Sequence, residues 1–433
     1  MDKVKKIFGG DTRQLGMIFA LVALIIFFQI WTGGLTLTPD NVINIFQQNS
    51  YILVLAIGMV LVIIAGHIDL SVGSVAAFVG ICVAIAMRDW GLSWWMGILF
   101  GLAIGALVGA WHGMWTAYVG IPAFIVTLSG MLLFRGANQY VGKSNSVPVP
   151  DDFQVIGAGY LPEVGPNTGY NNLTVLIGVV LAVGIVVGAV RSRRALVKLG
   201  AEVEDAWIMW VRLGLICAAI IGATLLFGSG RAGTSFPISG IILAVLVLLY
   251  GFISNRTVIG RHIYAVGGNR HAAELSGVKS KKVNFLVMMN MSILAALAGM
   301  IFVARSTASG PSDGVGWELD AIAAVFIGGA AVTGGVGTVV GSIVGGLVMA
   351  VLNNGLQLKG IGADATQMIK GLVLLVAVAF DVYNKSAGRV SILGLLTKNF
   401  RRSGGDDDDS APLPPPSAAT ETSPVTDTIR QSN

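Results

Sequence analysis

Charge is what this sequence most lacks. Only 12% of its 433 residues are Asp, Glu, Lys or Arg, about half the roughly 25% of an ordinary soluble domain. So few charges cannot cover a water-exposed surface, which excludes a soluble enzyme. Cysteine is nearly missing too. Cys82 and Cys217 lie in apolar runs with no Cys or His at metal spacing, which leaves no disulfide framework and no zinc site. Both read as small apolar filler. No nucleophile–base constellation, phosphate loop or metal cluster is visible, and Gly267-Gly268-Asn269 lacks the preceding strand and the Lys-Ser/Thr pair of a nucleotide loop. The chain therefore hydrolyses no ATP itself and calls for no cofactor.

What is there is apolar length. Hydrophobic residues make up 54% of the chain, and the mean hydropathy is +0.77. Uncharged runs cover 14–39, 41–68, 70–87, 90–134, 164–190, 213–230, 232–255, 283–304 and 321–358. Several far exceed the roughly 18 apolar residues that mark a membrane span. The fold class is an all-α polytopic helical bundle. Twelve spans fit best, at about 17–36, 51–66, 70–87, 94–111, 114–134, 173–190, 208–228, 237–253, 283–303, 319–333, 336–352 and 367–383. Lys3, Lys5 and Lys6 before an apolar stretch resemble a signal peptide, but no small-x-small cleavage site follows Met17–Trp31. That stretch is read as a retained first span.

Counting Lys and Arg on alternate sides of this layout puts 21 of the 28 on the side of both termini. The other side holds Arg88, Arg135, Lys143, Arg231, Arg305, Lys359 and Lys370. By the positive-inside rule both termini are cytoplasmic. The domains follow: a cytoplasmic N-terminus over 1–16, a transmembrane body over 17–385 with a cytoplasmic loop at 254–282, and a cytoplasmic C-terminal segment over 386–433. From about 404 that segment carries Asp406–Asp409, four prolines from Pro412 to Pro416 and many Ser and Thr. It has nothing to bury and is expected to be disordered. The net charge of +5 joins a segment over 404–433 that carries −5 to a remainder that carries +10, and that positive charge sits in loops between spans and is no nucleic-acid footprint.

Glycine, at 58 residues, repeats every four positions at Gly101, Gly105, Gly109 and Gly113 and again at Gly337, Gly341 and Gly345. Such faces let helices approach closely in lipid. Breaks are expected at Gly120 with Pro122 and at Gly334–Gly335, either as plain kinks or as interrupted helices lining a cavity. Val72-Gly73-Ser74-Val75 and Val340-Gly341-Ser342-Ile343 hint at an internal repeat of two halves, a 5+5-type pseudo-two-fold.

The segment 254–282 is the longest cytoplasmic loop. Asn269 can cap a helix from Arg270 through Ala272, Ala273 and Ser276 that stops at Gly277. Such a helix either seats in a groove of another protein or rests on lipid headgroups. Asp69, a carboxylate in or near a span, either lines a path together with Ser71 and Ser74, serves proton coupling, or caps the helix that follows, as the next residues Ser71 and Gly73 suggest. His67 is a proton-relay candidate or a structural histidine. Asn353, Asn354 and Gln357 can bind hydroxyls or cap a helix end.

These residues carry a resemblance. The 254–282 loop, Ala295-Ala296-Leu297-Ala298-Gly299, Gly316-Trp317-Glu318-Leu319-Asp320, Gly334-Gly335-Val336-Gly337 and Leu352-Asn353-Asn354-Gly355 resemble the permease subunits of monosaccharide ABC importers. Gly66-His67-Ile68-Asp69-Leu70-Ser71-Val72-Gly73-Ser74 is similar to that family's GGIDLSVGS signature, with His67 in place of its second Gly. The spans around Arg191–Arg212 resemble an insertion in the xylose and multiple-sugar branch. The resemblance implies import of a xylose-like pentose or related sugar. It also implies a second permease protomer, an ATPase with tandem nucleotide-binding domains, and an extracytoplasmic sugar-binding protein. Gly268–Gly277 would then meet the ATPase, and Asp313, Glu318 and Asp320 would help receive the binding protein. The alternative is an ion-coupled secondary transporter using Asp69 and His67.

Overall fold

A computed structural model describes residues 12–386 apart from 202, 204 and 231–233. The basic N-terminal lysines, Arg231 and the acidic, proline-rich tail lie outside the described residues. Contacts divide the chain into Met1–Asp381 and Val382–Asn433, and of the second unit only the end of the last helix is described.

The helices are α1 (Thr12–Trp31), α2 (Pro39–Ile64), α3 (Val72–Asp89), α4 (Trp94–Gly113), α5 (Ala123–Val141), α6 (Asp151–Ala158), α7 (Asn172–Lys198), α8 (Ala206–Gly228), α9 (Ile238–Arg256), α10 (Val258–Gly268), α11 (Arg270–Leu275), α12 (Ser280–Ser306), α13 (Trp317–Ile327), α14 (Val339–Leu358) and α15 (Ala363–Ser386). Two short strands, β1 (Val147–Pro148) and β2 (Ala308–Ser309), pair antiparallel. Eight described helices are long and apolar enough to cross a membrane, with a shorter apolar stretch at Gly16–Trp31. Helices dominate because lipid offers the backbone no hydrogen-bond partner, so each segment must satisfy its own N–H and C=O groups.

Each of the twelve expected spans has a helix, but several boundaries move. α2 begins at Pro39 instead of 51. The polar residues that disguised its first turns are buried and partnered: Gln47 Nε2 donates to the Ala158 carbonyl at 3.1 Å, and Asn41 pairs with Asn354. α4 does not end near 111. It runs on through a π-helical turn at Met114–Val119, because Gly113 alone does not stop a membrane helix. The stop comes at Gly120, whose φ of +90° only glycine adopts cheaply, and at Pro122. α13 has 11 residues, about 16 Å of rise, and is a half-span instead of a full crossing.

The bundle is built around α12, which packs on α2, α3, α4 and α6. The glycine stripe of α4 faces it. Cβ atoms on Gly105 and Gly109 would lie 2.6 Å from Ala296 Cβ and Met289 Cα. Likewise Gly345 of α14 lies against the Ala324 carbonyl of α13, where a Cβ would come within 2.0 Å. Without a hydrophobic drive between helices in lipid, this close van der Waals contact supplies the association. The α7–α8 pair is the opposite case, with only 11% and 17% of their apolar windows buried. Such outward apolar faces suit lipid.

Candidate functional site

Three breaks in the helical architecture meet. The first is residues 65–71 between α2 and α3, the second residues 328–338 between α13 and α14, and the third the corner between α10 and α11. The backbone N–H of Gly335 donates to the Ile64 carbonyl at 2.8 Å. Gly267 presses on the same carbonyl: a Cβ there would lie 1.6 Å from Ile64 O and 2.9 Å from Gly335 N. Tyr264 on α10 donates its hydroxyl to the Gly337 carbonyl at 2.7 Å. Backbone therefore rests on backbone, with no side chain between to absorb a displacement.

α11 extends from this junction. Asn269 Oδ1 accepts from the Ala272 N–H at 3.0 Å. The helix ends as Gly277, with φ +85°, donates to the Glu274 carbonyl at 2.9 Å and Val278 to the Ala273 carbonyl at 3.0 Å. That is a glycine-terminated turn with its last carbonyls satisfied. Ala273 alone is buried, and Leu275 is 79% exposed. Arg270, Ala272 and Ser276 are also exposed. Arg270 Nε contacts Glu274 Oε1 at 3.0 Å, and the Ser280 hydroxyl donates to the same carboxylate. The Ser280 hydroxyl first, and then Arg270, hold the Glu274 carboxyl below its ordinary range. The result is a short, capped knob with an apolar tip.

Asp69 lies inside the first break and is 1% exposed. Its Oδ1 accepts from the Ser71 N–H at 2.8 Å and the Ser71 hydroxyl at 2.6 Å, just ahead of α3. Asp69 Oδ2 and the Ser74 hydroxyl have no hydrogen-bond partner among the described residues. His67 Nε2 is likewise without a hydrogen-bond partner among the described residues. His112 is fully buried, with both ring nitrogens unpartnered among the described residues, and a Cβ on Gly130 of α5 would sit 2.3 Å from its Nε2. The reading of the sequence missed it. The signal was present, since His112 is one of only four histidines and stands inside an uncharged run, where an ionisable residue points to function. Beside the break, a cavity of about 440 Å³ is lined by His67, Ile68, Thr116, Tyr118, Arg270 and Lys281, among others.

The remaining candidates are not part of this assembly. Asn354 and Asn41 exchange two amide hydrogen bonds at 2.9 and 2.8 Å. Asn353 is half-buried and Gln357 exposed. Asn41 stands 23 residues before Ile64 on α2, on the order of 35 Å along the helix. The expected exposed carboxylates also differ. Glu318 is only 7% exposed, and Asp320 accepts from Lys370 Nζ at 2.9 and 3.0 Å. The cause is α13, which docks its first turn against the start of α3, so that Glu318 Oε2 would lie 2.8 Å from a Cβ on Gly73. Asp313 folds back to accept from the Gly310 N–H at 2.7 Å.

Residues 41–378 match the family described as branched-chain amino acid transport system / permease component. The chain belongs to that family. It is 39% identical over 372 residues to the xylose transport system permease protein XylH of Haemophilus influenzae, covering 85% of this chain and 96% of that one. Identity to the ribose import permease protein RbsC of Escherichia coli K12 is 33% over 368 residues, covering 84% and 92%. A probable ABC transporter permease protein of the same strain, YphD, is 30% identical over 379 residues, covering 88% and 92%. No solved structure matches the chain. Within the family it sides with the xylose permeases, as a multi-pass membrane protein of transport systems.

Proposed function

We propose that this chain is the membrane-spanning subunit of an ATP-binding-cassette importer that moves a monosaccharide, a xylose-like pentose or a related sugar, across the cytoplasmic membrane. A separate ATPase with tandem nucleotide-binding domains drives it. A second copy of the permease completes the pore, and an extracytoplasmic binding protein delivers the sugar. Both termini and the α10–α11 segment face the cytoplasm, in keeping with the distribution of Lys and Arg.

The observation that carries this reading is the attachment of α11. Its exposed tip offers Leu275 and the faces around Arg270 and Ala272 to a groove. Its base is joined through Gly267, Ile64 and Gly335 to both interrupted segments of the bundle. Closure of an ATPase dimer around α11 moves α10, and Gly267 passes that movement to the two breaks at once. The ATPase thereby biases the outward- and inward-facing states, provided that its contacts differ between them. Asp69, Ser71 and Ser74, at the start of α3, then change their exposure to the path.

The rival reading, ion-coupled transport through Asp69 and His67, finds no hydrogen bond between those two side chains: Asp69 Oδ1 is taken by Ser71, and Asp69 Oδ2 and His67 Nε2 have no partner among the described residues. Proteoliposomes holding the permease, its ATPase and its binding protein decide between the readings. Uptake is expected to require ATP and to survive collapse of ion gradients. Gly277→Pro should abolish both ATPase association and uptake, because it removes the N–H that closes α11 and forbids the positive φ. Uptake that needs a gradient and ignores ATP would replace this proposal with its rival.

A further inference from the structure

A second cavity, of about 430 Å³, lies between the first turn of α13, α5 and α15, with Arg135, Glu318, Asp320, Gln367, Lys370 and Leu374 in its lining. Its volume falls within the range of small-molecule sites. Its polar groups are of two kinds. On one wall Lys370 and Asp320 satisfy each other with two hydrogen bonds. On the other, Arg135 Nη2 stands 3.7 Å from Glu318 Oε1, too far for a hydrogen bond. Arg135 Nη2 and Glu318 Oε2 are both buried with no hydrogen-bond partner among the described residues, and Glu318 is more than nine-tenths buried. Leaving such atoms unsatisfied is costly; Glu318 Oε2 is turned to Gly73, and the cavity is lined by the same two residues, of which the Arg135 side chain is 30% exposed.

We propose that this cavity is a sugar-binding station on the transport path, a role that rests on the permease reading above and gives it a substrate site. Two opposite charge pairs leave the site with no formal excess of either sign, which suits a neutral ligand. A polyhydroxylated sugar has donors for a carboxylate and acceptors for a guanidinium on adjacent carbons. A vicinal diol can therefore donate to Glu318 and accept from Arg135, bridging the gap between them. The station adjoins the break at α3, since Glu318 Oε2 packs on Gly73, two residues beyond Ser71. Movement of that break alters the wall of the cavity, so that sugar affinity and transport state are linked.

The test uses the full-length permease carrying Cys82→Ala, Cys217→Ala and Gln367→Cys, because Gln367 is exposed at the mouth. Alkylation of the new thiol by N-ethylmaleimide is timed with and without D-xylose and, separately, with L-leucine. D-xylose is expected to slow labelling. Adding Glu318→Gln should raise the xylose concentration needed about tenfold, as loss of a hydrogen bond to a charged group does. Leu374→Trp, which fills the cavity without touching its polar groups, should remove the protection, and unchanged elution of both variants on size exclusion shows that they fold. No protection by xylose, equal protection by L-leucine, or protection indifferent to both variants would overturn the station. ATP-dependent uptake persisting in that case leaves the importer reading standing. Protection by xylose alongside gradient-driven uptake upholds the station and removes the ATPase.

Discussion

Replacing Gly267 by alanine is the sharpest test of how motion leaves α11. The new Cβ would sit 1.6 Å from the Ile64 carbonyl oxygen, 2.7 Å from its carbon and 2.9 Å from Gly335 N. Ordinary contact begins at about 3.5 Å, so the two backbones must part by about 2 Å. That separation breaks the 2.8 Å hydrogen bond from Gly335 to Ile64. An unsatisfied buried backbone group costs about 1–3 kcal/mol, and overpacking costs about another 1–3 kcal/mol. The expected loss is therefore on the order of 2–6 kcal/mol. Gly268 is the control. It follows Gly267 in the same helix, yet a Cβ there meets nothing within 4 Å, and alanine should cost less than about 0.5 kcal/mol. Thermal unfolding of each purified permease measures the stability difference. ATP-driven sugar uptake per ATP hydrolysed, in vesicles containing the ATPase, measures coupling. Gly267→Ala should lower both, and Gly268→Ala neither. Equal effects of the two substitutions would refute the backbone junction as the transmitting element.

The amide pair joining α2 to α14 should behave as a unit: Asn354→Ala leaves the buried Asn41 Oδ1 without its donor and costs about 1–3 kcal/mol, whereas the double change to alanine should cost less than the sum of the single ones. A thermal-melt mutant cycle checks this, and strict additivity would mean that the pair does not interact. Glu274 has its carboxyl held below the ordinary value of 4.5, so its contribution to the α11 turn is complete above that value and is lost only as pH falls through the lowered one. Amide exchange at Ser276–Ser280 should accordingly be flat in its protection factor from neutral pH to about 5 and weaken below, while Glu274→Gln removes the step; a step near neutrality would assign the protection to another group.

Much of the fold was legible because membrane constraints are read residue by residue. A run without charge must be helical to satisfy its own backbone in lipid, and that argument placed a helix in each of the twelve expected stretches. The α11 turn was equally legible, since an Asn cap and a terminal glycine act within a few residues of themselves. Legibility failed where polarity is compensated at long range. Asn41 and Gln47 looked like loop residues, yet their partners Asn354 and Ala158 lie far along the chain. Glu318 and Asp320 looked like surface carboxylates for the same reason, their counter-charges being Arg135 and Lys370.

The sequence by itself determined the solvent of this protein, its helical class and the local turn at 269–277, because hydropathy, capping and glycine conformation are properties of neighbouring residues. Only the tertiary structure decided that Ile64, Gly267 and Gly335 converge, that His112 is buried with neither ring nitrogen partnered among the described residues, and that Arg135 and Glu318 line one cavity. Those are distances between segments far apart in the chain, and they are set by which helix faces can approach backbone to backbone.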